Sequence, residues 1–328
     1  MVRGAARGVH RLPSAPRRVG EVSQRSAWPV KMLSFLADGE DALKAPSLGY
    51  VRARSLDEVF AVLAAEGDEA KILAGGQSLV PALNMRLLEP RLLVDINGIA
   101  GLDAIAEHAG GLRIGALARH AAVGRSPLVA RLAPLIHQAI PHIAHPAIRN
   151  RGTFGGSLAQ ADPAAELPAC AVALDAAIQV AGARGQCAIP ARHFFKGLYE
   201  TALAPDDVVV AVDIPQPAPG MHSAFLELAR RRGDYAMLGL AATARPTSGV
   251  LRDARLVFFG VGGMPVEAAT AAAALAEGAP LERIAMAQEA LAEDLDPAGD
   301  LQADGATKLH LARVLLARAT RMLAGGGA

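Results

Sequence analysis

Two short stretches place adjacent glycines ahead of a serine and a leucine, "AGGQSL" at 74–79 and "TFGGSL" at 153–158. Lacking side chains, Gly75, Gly76, Gly155 and Gly156 let the backbone take left-handed angles and let a ligand approach the N–H groups closely. Consecutive N–H groups in such turns form a concavity for anions, and the Ser78 and Ser157 hydroxyls add donors suited to phosphate oxygen. Two such loops match a diphosphate better than one loop does. Taken alone, each pair reads first as an ordinary tight turn.

The residues around the loops offer further chemistry. Asp162 and Glu166, four apart, would share one helix face, where a carboxylate accepts hydrogen bonds from a ribose diol; Asp162 also reads as the cap before Pro163 at a first helical position. Arg86, Arg149 and Arg151 could neutralise an anion, although bonding loop carbonyls is the favoured reading for all three. His137, His142 and His145 are interrupted by Pro141 and Pro146 with no cysteine close by, which falls short of a zinc set. In "GQSLV", Val80 stands where a nucleophile elbow requires glycine, so a hydrolase reading loses its defining residue. "GVGGMP" at 260–265 lacks the third glycine of a dinucleotide fingerprint and puts Pro265 where the helix should begin.

Positioning the first loop falls to a β–α–β unit. "YVRARSLDEVFAVLAAEG" reads as an extended piece and then a helix, with Ser55 as N-cap, Glu58 completing a capping box, and Gly67 ending it. "AKIL" and "RLLVDINGI" are its apolar strands, and the first of them delivers Gly75 and Gly76. Before the second loop come the strand in "GGLRIGALARH" and a helix through Leu132, Leu135, Ile136 and Ile140 that Pro141 stops. "DPAAELPACAVAL" reads as a buried helix, and the segments to Pro215 as strands of a mixed sheet. "PQPAPG" is the best linker in the chain, and beyond it strands precede helices. Residues 1–45 read as a disordered extension, of which 1–31 could also be translated upstream sequence with the working start at Met32, a targeting role being the lesser reading.

Composition excludes several classes. The 328 residues are 52% hydrophobic and contain no apolar run of the ~20 residues a membrane span needs. A formal charge of +1 and 4% aromatic residues give neither the field nor the stacking platforms for nucleic acid. Arginine outnumbers lysine 28 to five in an alanine-crowded chain, which points to coding bias more than to a binding surface. Two isolated thiols, Cys170 and Cys187, make neither a disulfide framework nor a cluster ligand set, and a reducing, cytoplasmic setting is expected.

"KILAGGQSLVPALNMRLLEPRLLVDINGI", "IRNRGTFGGSLAQADPAAELPA" and "RRRGDYAMLGLAA" together resemble the medium, FAD-binding subunit of the molybdenum hydroxylases, of carbon-monoxide dehydrogenase, xanthine dehydrogenase and aldehyde oxidoreductase type. The likeness runs from about Pro46 to the C-terminal helix. It implies an α+β chain: a two-part FAD-binding domain of mixed sheets with helices over 46–217, then over 218–328 a smaller α+β domain, an antiparallel sheet of three or more strands plus helices. It implies that Ala74, Gly75, Gly76, Gln77, Ser78 and Leu79 cradle the FAD diphosphate, and that Thr153, Phe154, Gly155, Gly156 and Ser157 complete the cradle. By the same resemblance Ile143 packs near the flavin, Glu166 stands near the ribose, and Arg231 matches a basic residue beside the flavin.

The family also implies a molybdopterin-binding large subunit and a small subunit with two two-iron two-sulfur clusters, assembled as a dimer of heterotrimers. The chain would then supply only electron transfer through non-covalent FAD, with no catalytic side chain and no metal of its own. The want of cysteine ligands sets it apart from the benzoyl-CoA-reductase branch, whose medium subunit holds an extra cluster. Departures are local: Phe154 and Ser157 replace the usual Ile and Asp or Asn, and Lys308, Leu309 and His310 stand where a tyrosine–arginine pair is usual. A self-sufficient flavin oxidase or dehydrogenase, which should bring its own substrate pocket and often a covalent His or Cys link, and a non-enzymatic module with a degenerate FAD fold are the rival readings.

Overall fold

The computed structural model describes residues 46–325, so the expectations for residues 1–45 fall outside the described residues. Strand β1 (Gly49–Arg52), helix α1 (Leu56–Glu66), strand β2 (Ala70–Leu73), helix α2 (Leu79–Asn84) and strand β3 (Leu92–Asp95) build a parallel sheet ordered β1-β3-β2. Helix α1 begins where Ser55 Oγ accepts the Glu58 N–H at 3.2 Å, covering one of the N–H groups a helix start leaves without an intrahelical partner. The expected capping box closes one residue early: Glu58 Oε2 takes the N–H of Arg54, not that of Ser55. Gly67 ends the helix at φ 54°, and Val59, Val62 and Leu63 bury its inner stripe against β3 and Ile96.

The second sheet is antiparallel throughout. Strands β4 (Ile105–His108) and β5 (Gly111–Gly115) come first, followed by the short helices α3 (His120–Arg125), α4 (Pro127–Leu132), α5 (Pro134–Ala139), α6 (Pro146–Arg149) and α7 (Phe154–Gln160). Helix α8 (Glu166–Ala173) is buried along its whole length, as its composition predicts. Strands β6 (Ala177–Gly182) and β7 (Gly185–Pro190), helix α9 (Ala191–Phe194), the small hairpin β8 (Phe195–Gly197) with β9 (Glu200–Thr201), and β10 (Val208–Pro215) complete the order β4-β5-β10-β6-β7. The segments to Pro215, expected in a mixed sheet, instead form a wholly antiparallel one, and parallel pairing is confined to β1-β3-β2. Proline opens α4, α5 and α6 at a first helical position, where its missing N–H costs nothing. That is why this stretch breaks into short helices rather than running as one.

Beyond the proline-rich linker, β11 (His222–Leu228), β12 (Leu238–Thr247), β13 (Val250–Phe259) and β14 (Val266–Glu267) form an antiparallel sheet. Helices α10 (Ala269–Ala276), α11 (Pro280–Asp294) and α12 (Gly305–Gly325) cover one face through Leu275, Leu291, Leu315 and Leu316. The other face turns Phe225 and Phe259 toward Phe154 and Leu158 in the core of the second sheet. One apolar core thus bridges the two halves of the chain.

Candidate functional site

A cleft of about 510 Å³ opens between the parallel and antiparallel sheets and is lined by both glycine loops. Of the residues expected there, Ala74, Gly75, Gly76, Gln77, Ser78, Leu79, Ile143, Thr153, Gly155, Gly156, Ser157 and Glu166 all line it. Phe154 and Arg231 do not. The Phe154 ring is fully buried in the core, because at the first position of α7 it faces the interior. Arg231 is exposed on its turn, and the neighbouring Gly233, Asp234 and Tyr235 line the cleft instead. Gly233 needs to be glycine: at φ 86°, a Cβ there would lie 2.9 Å from Ala144 O and from the His145 ring.

The two loops differ in their hydrogen bonding. From Gly75 to Leu79, no backbone N–H donates to any acceptor among the described residues. In the second loop every N–H from 154 to 157 is committed: Phe154 to Ala118 O at 2.9 Å, Gly155 to Ala116 O at 2.9 Å, Gly156 to Thr153 Oγ1 at 3.2 Å and Ser157 to Thr153 O at 3.1 Å. The glycines follow suit. Gly76 sits at φ 72°, a conformation that side chains disfavour. A Cβ on Gly155 would meet Ala116 Cβ at 2.5 Å, and one on Gly156 would meet Thr153 Oγ1 at 2.5 Å. Gly75 serves the contact between loops, since its Cβ would lie 2.5 Å from Arg151 O.

Residues that the sequence reading passed over hold this arrangement. Asn97 Nδ2 donates to Ala74 O at 2.8 Å, Arg119 donates to Asn97 Oδ1 at 2.6 Å, and the same guanidinium donates to Arg151 O. One side-chain brace therefore ties the first loop to the second. His120, buried beside it, has Nε2 3.0 Å from Thr153 O, so that nitrogen carries the proton and donates. Burial, against the pull of that bond, lowers the His120 pKa to about 4 and keeps the ring neutral near pH 7. The sequence signal was thin, a basic pair after a strand. Arg149 plays the expected structural part, donating to Ile143 O and Ala144 O at 2.7 Å each.

The acidic end departs from expectation. Asp162 caps no helix: its Oδ1 accepts the Ala164 N–H at 2.9 Å inside a turn, and α8 starts after it at Ala165 and Glu166. Both carboxyls line the cleft without sharing a helix face. Burial, and then the charge of Glu227, push the Glu166 carboxyl up to about 8, so it is largely protonated near neutrality and can donate as well as accept. Glu227, its side chain 3% exposed, is pushed by burial to about 7 and lies 3.9 Å from His142 Nδ1. Among the described residues no cluster of His, Cys, Asp and Glu could hold a metal ion; His142 lies near Glu227, and His145 lines the cleft.

These residues fit a dinucleotide with a diphosphate: a cleft of about 510 Å³, five consecutive N–H groups on its wall that have no acceptor among the described residues, and a serine on each loop. Comparison with known proteins agrees. Residues 46–217 match the family model described as the FAD binding domain in molybdopterin dehydrogenase, and 223–323 match the CO dehydrogenase flavoprotein C-terminal domain. The 6-hydroxypseudooxynicotine dehydrogenase complex subunit alpha of Paenarthrobacter nicotinovorans is 38% identical over 84% of this chain and 94% of its own length. A chain of the carbon monoxide dehydrogenase structure from Hydrogenophaga pseudoflava superposes with a TM-score of 0.84 at 34% identity, covering 87% of this chain and 99% of that one. A chain of quinoline 2-oxidoreductase from Pseudomonas putida 86 gives 0.82 at 38% identity, covering 86% and 99%. The fold, the cleft and the paired loops together place the chain in the family of FAD-binding medium subunits of the molybdenum hydroxylases.

Proposed function

We propose that the cleft holds FAD non-covalently and that the chain passes electrons from iron–sulfur clusters of a partner small subunit to an external acceptor, while a molybdopterin-binding large subunit hydroxylates the substrate. The observation that carries this is the run of uncommitted N–H groups from Gly75 to Leu79 on the wall of a 510 Å³ cleft. In this reading those groups and the Ser78 and Ser157 hydroxyls take the diphosphate, and Ala74, Thr153, Gly155 and Gly156 shape its seat. Ile143 would pack near the flavin, and Glu166 would bond a ribose hydroxyl. Bound FAD supplies the electron-carrying chemistry; the chain supplies orientation and electrostatics. Phe154 supports the seat from the core.

The proposal extends to a cytoplasmic dimer of heterotrimers and to a division of the chain into a 46–217 FAD-binding domain and a 218–328 C-terminal domain. Relatives described as a medium subunit and a medium chain support assembly with other subunits. Among the described residues no helix is long and apolar enough to cross a membrane.

Titration of the purified chain with FAD is the test. A bound flavin absorbing near about 450 nm, with no substrate turnover until partner subunits are added, is the expected result. A chain that stays colourless after reconstitution sinks the reading, and turnover without partners points to a self-sufficient oxidase.

A further inference from the structure

Helix α12 contributes no residue to the cleft, yet it reaches the cleft through one buried lysine. Lys308, its side chain 6% exposed, donates from Nζ to Gly260 O at 2.8 Å and pairs with Asp300 Oδ2 at 2.7 Å. An ammonium group removed from water in this way is tolerable only because both contacts are made. Gly260, at the end of β13, takes φ 73° and donates its own N–H to Pro163 O at 2.8 Å.

Pro163 lies inside the turn that presents Asp162, Ala164, Ala165 and Glu166 to the cleft. That turn is bonded within itself, Ala164 N–H to Asp162 Oδ1 at 2.9 Å and Ala165 N–H to Asp162 O at 3.0 Å. It therefore moves as a unit, and the Gly260 bond holds it to the C-terminal sheet. The same glycine packs against a second cleft segment: a Cβ on it would lie 2.8 Å from Met237 O, two residues beyond the cleft residue Tyr235.

We propose that Lys308 is a positioning residue for the FAD cleft, acting through Gly260 and Pro163 on the 162–166 wall. The inference rests on the FAD reading above for its effect on affinity, and on this chain alone for its effect on the wall. Lys308 occupies the C-terminal neighbourhood in which the sequence departs from its family's usual pair.

The test compares Lys308→Met, Lys308→Arg and Asp300→Asn in the full chain, by FAD titration and by amide hydrogen exchange of residues 160–168 without FAD. Lys308→Met should weaken FAD binding about tenfold, as expected for a lost charge-assisted hydrogen bond, and speed exchange in 160–168 but not in β1–β3. Lys308→Arg, which keeps a donor for Gly260 O, should restore most of both. Should Lys308→Met fail to fold, Asp300→Asn carries the test, because it removes the half-exposed counter-charge and leaves no cavity; it should shift the same segment by a smaller factor. A lowered melting temperature with exchange in 160–168 and FAD affinity both at wild-type values overturns the proposal and leaves Lys308 a structural staple. Wild-type protein that binds no FAD refutes the functional reading instead, while the exchange comparison still decides whether Lys308 holds the wall.

Discussion

The loops at 74–79 and 153–157 share a glycine pair and a serine, yet they solve different problems. The first leaves its N–H groups from Gly75 to Leu79 without acceptors among the described residues, and one of its glycines is at a positive φ. The second commits its N–H groups to Ala118, Ala116 and Thr153, and its glycines are there because Ala116, just past β5, and the Thr153 cap leave no room for a Cβ. A Gly-Gly pair can thus mean a site for a ligand's charge or a close approach of protein to protein. Only the acceptors within reach of its N–H groups tell which. On the proposed reading the first loop is the anion seat, and the second, its N–H groups already bonded, is the wall that completes it.

Valine at the two glycine pairs gives the widest separation. Gly155→Val drives side-chain atoms into Ala116 and should destabilise the fold by about 3 kcal/mol, at the upper end of overpacking costs, read as a lower denaturation midpoint. Gly76→Val strains one left-handed residue by about 1–2 kcal/mol and meets only the ends of Leu73 and Val80 at 3.2 Å. It should keep the fold and lose flavin. Equal loss of stability in the two variants would remove the distinction between the loops.

The Arg119 brace should fail on both sides at once. Arg119→Met leaves Asn97 Oδ1 and Arg151 O without their donor, costs about 1–3 kcal/mol, and should raise amide exchange in both loops together. Exchange rising in one loop alone would show that the loops are held independently.

Hydroxyl deletions sharpen the comparison at smaller cost. Thr153→Ala removes the helix cap on the Gly156 N–H and should cost about 1 kcal/mol of stability. Ser78→Ala removes a side chain that caps nothing, so stability should hold while FAD affinity falls about fivefold, in keeping with one hydrogen bond. A reversal of the two phenotypes would exchange the roles assigned to the loops.

Acid should act on the second loop first. His120 has its pKa lowered below the unfolded value of 6.5, to about 4, so its contribution to stability is present above 6.5 and is lost as pH falls toward 4. Over that window amide exchange in 153–157 should rise before exchange in 74–79, which leans on no buried histidine. His120→Gln should flatten the pH dependence; an unchanged slope would remove His120 from the account.

Much of the framework was legible in the chain itself. The Ser55 cap, the stop at Gly67 and the short apolar strands of the β–α–β unit depend on contacts within a few residues, which local sequence specifies. Family motifs carried the identity of the cofactor and pointed to residues that line the cleft, all but Phe154 and Arg231, while missing Gly233, Asp234 and Tyr235. What tertiary structure alone decided is the use each residue is put to. Whether an N–H is committed depends on carbonyls at Ala116 and Ala118, which sheet packing brings from far upstream. Burial turned the Phe154 ring into the core and made Glu166 a protonated group instead of a plain carboxylate. The Asn97–Arg119 brace and the Lys308–Gly260–Pro163 latch join segments with no common pattern, because a hydrogen bond needs only proximity in space and leaves no period in the sequence.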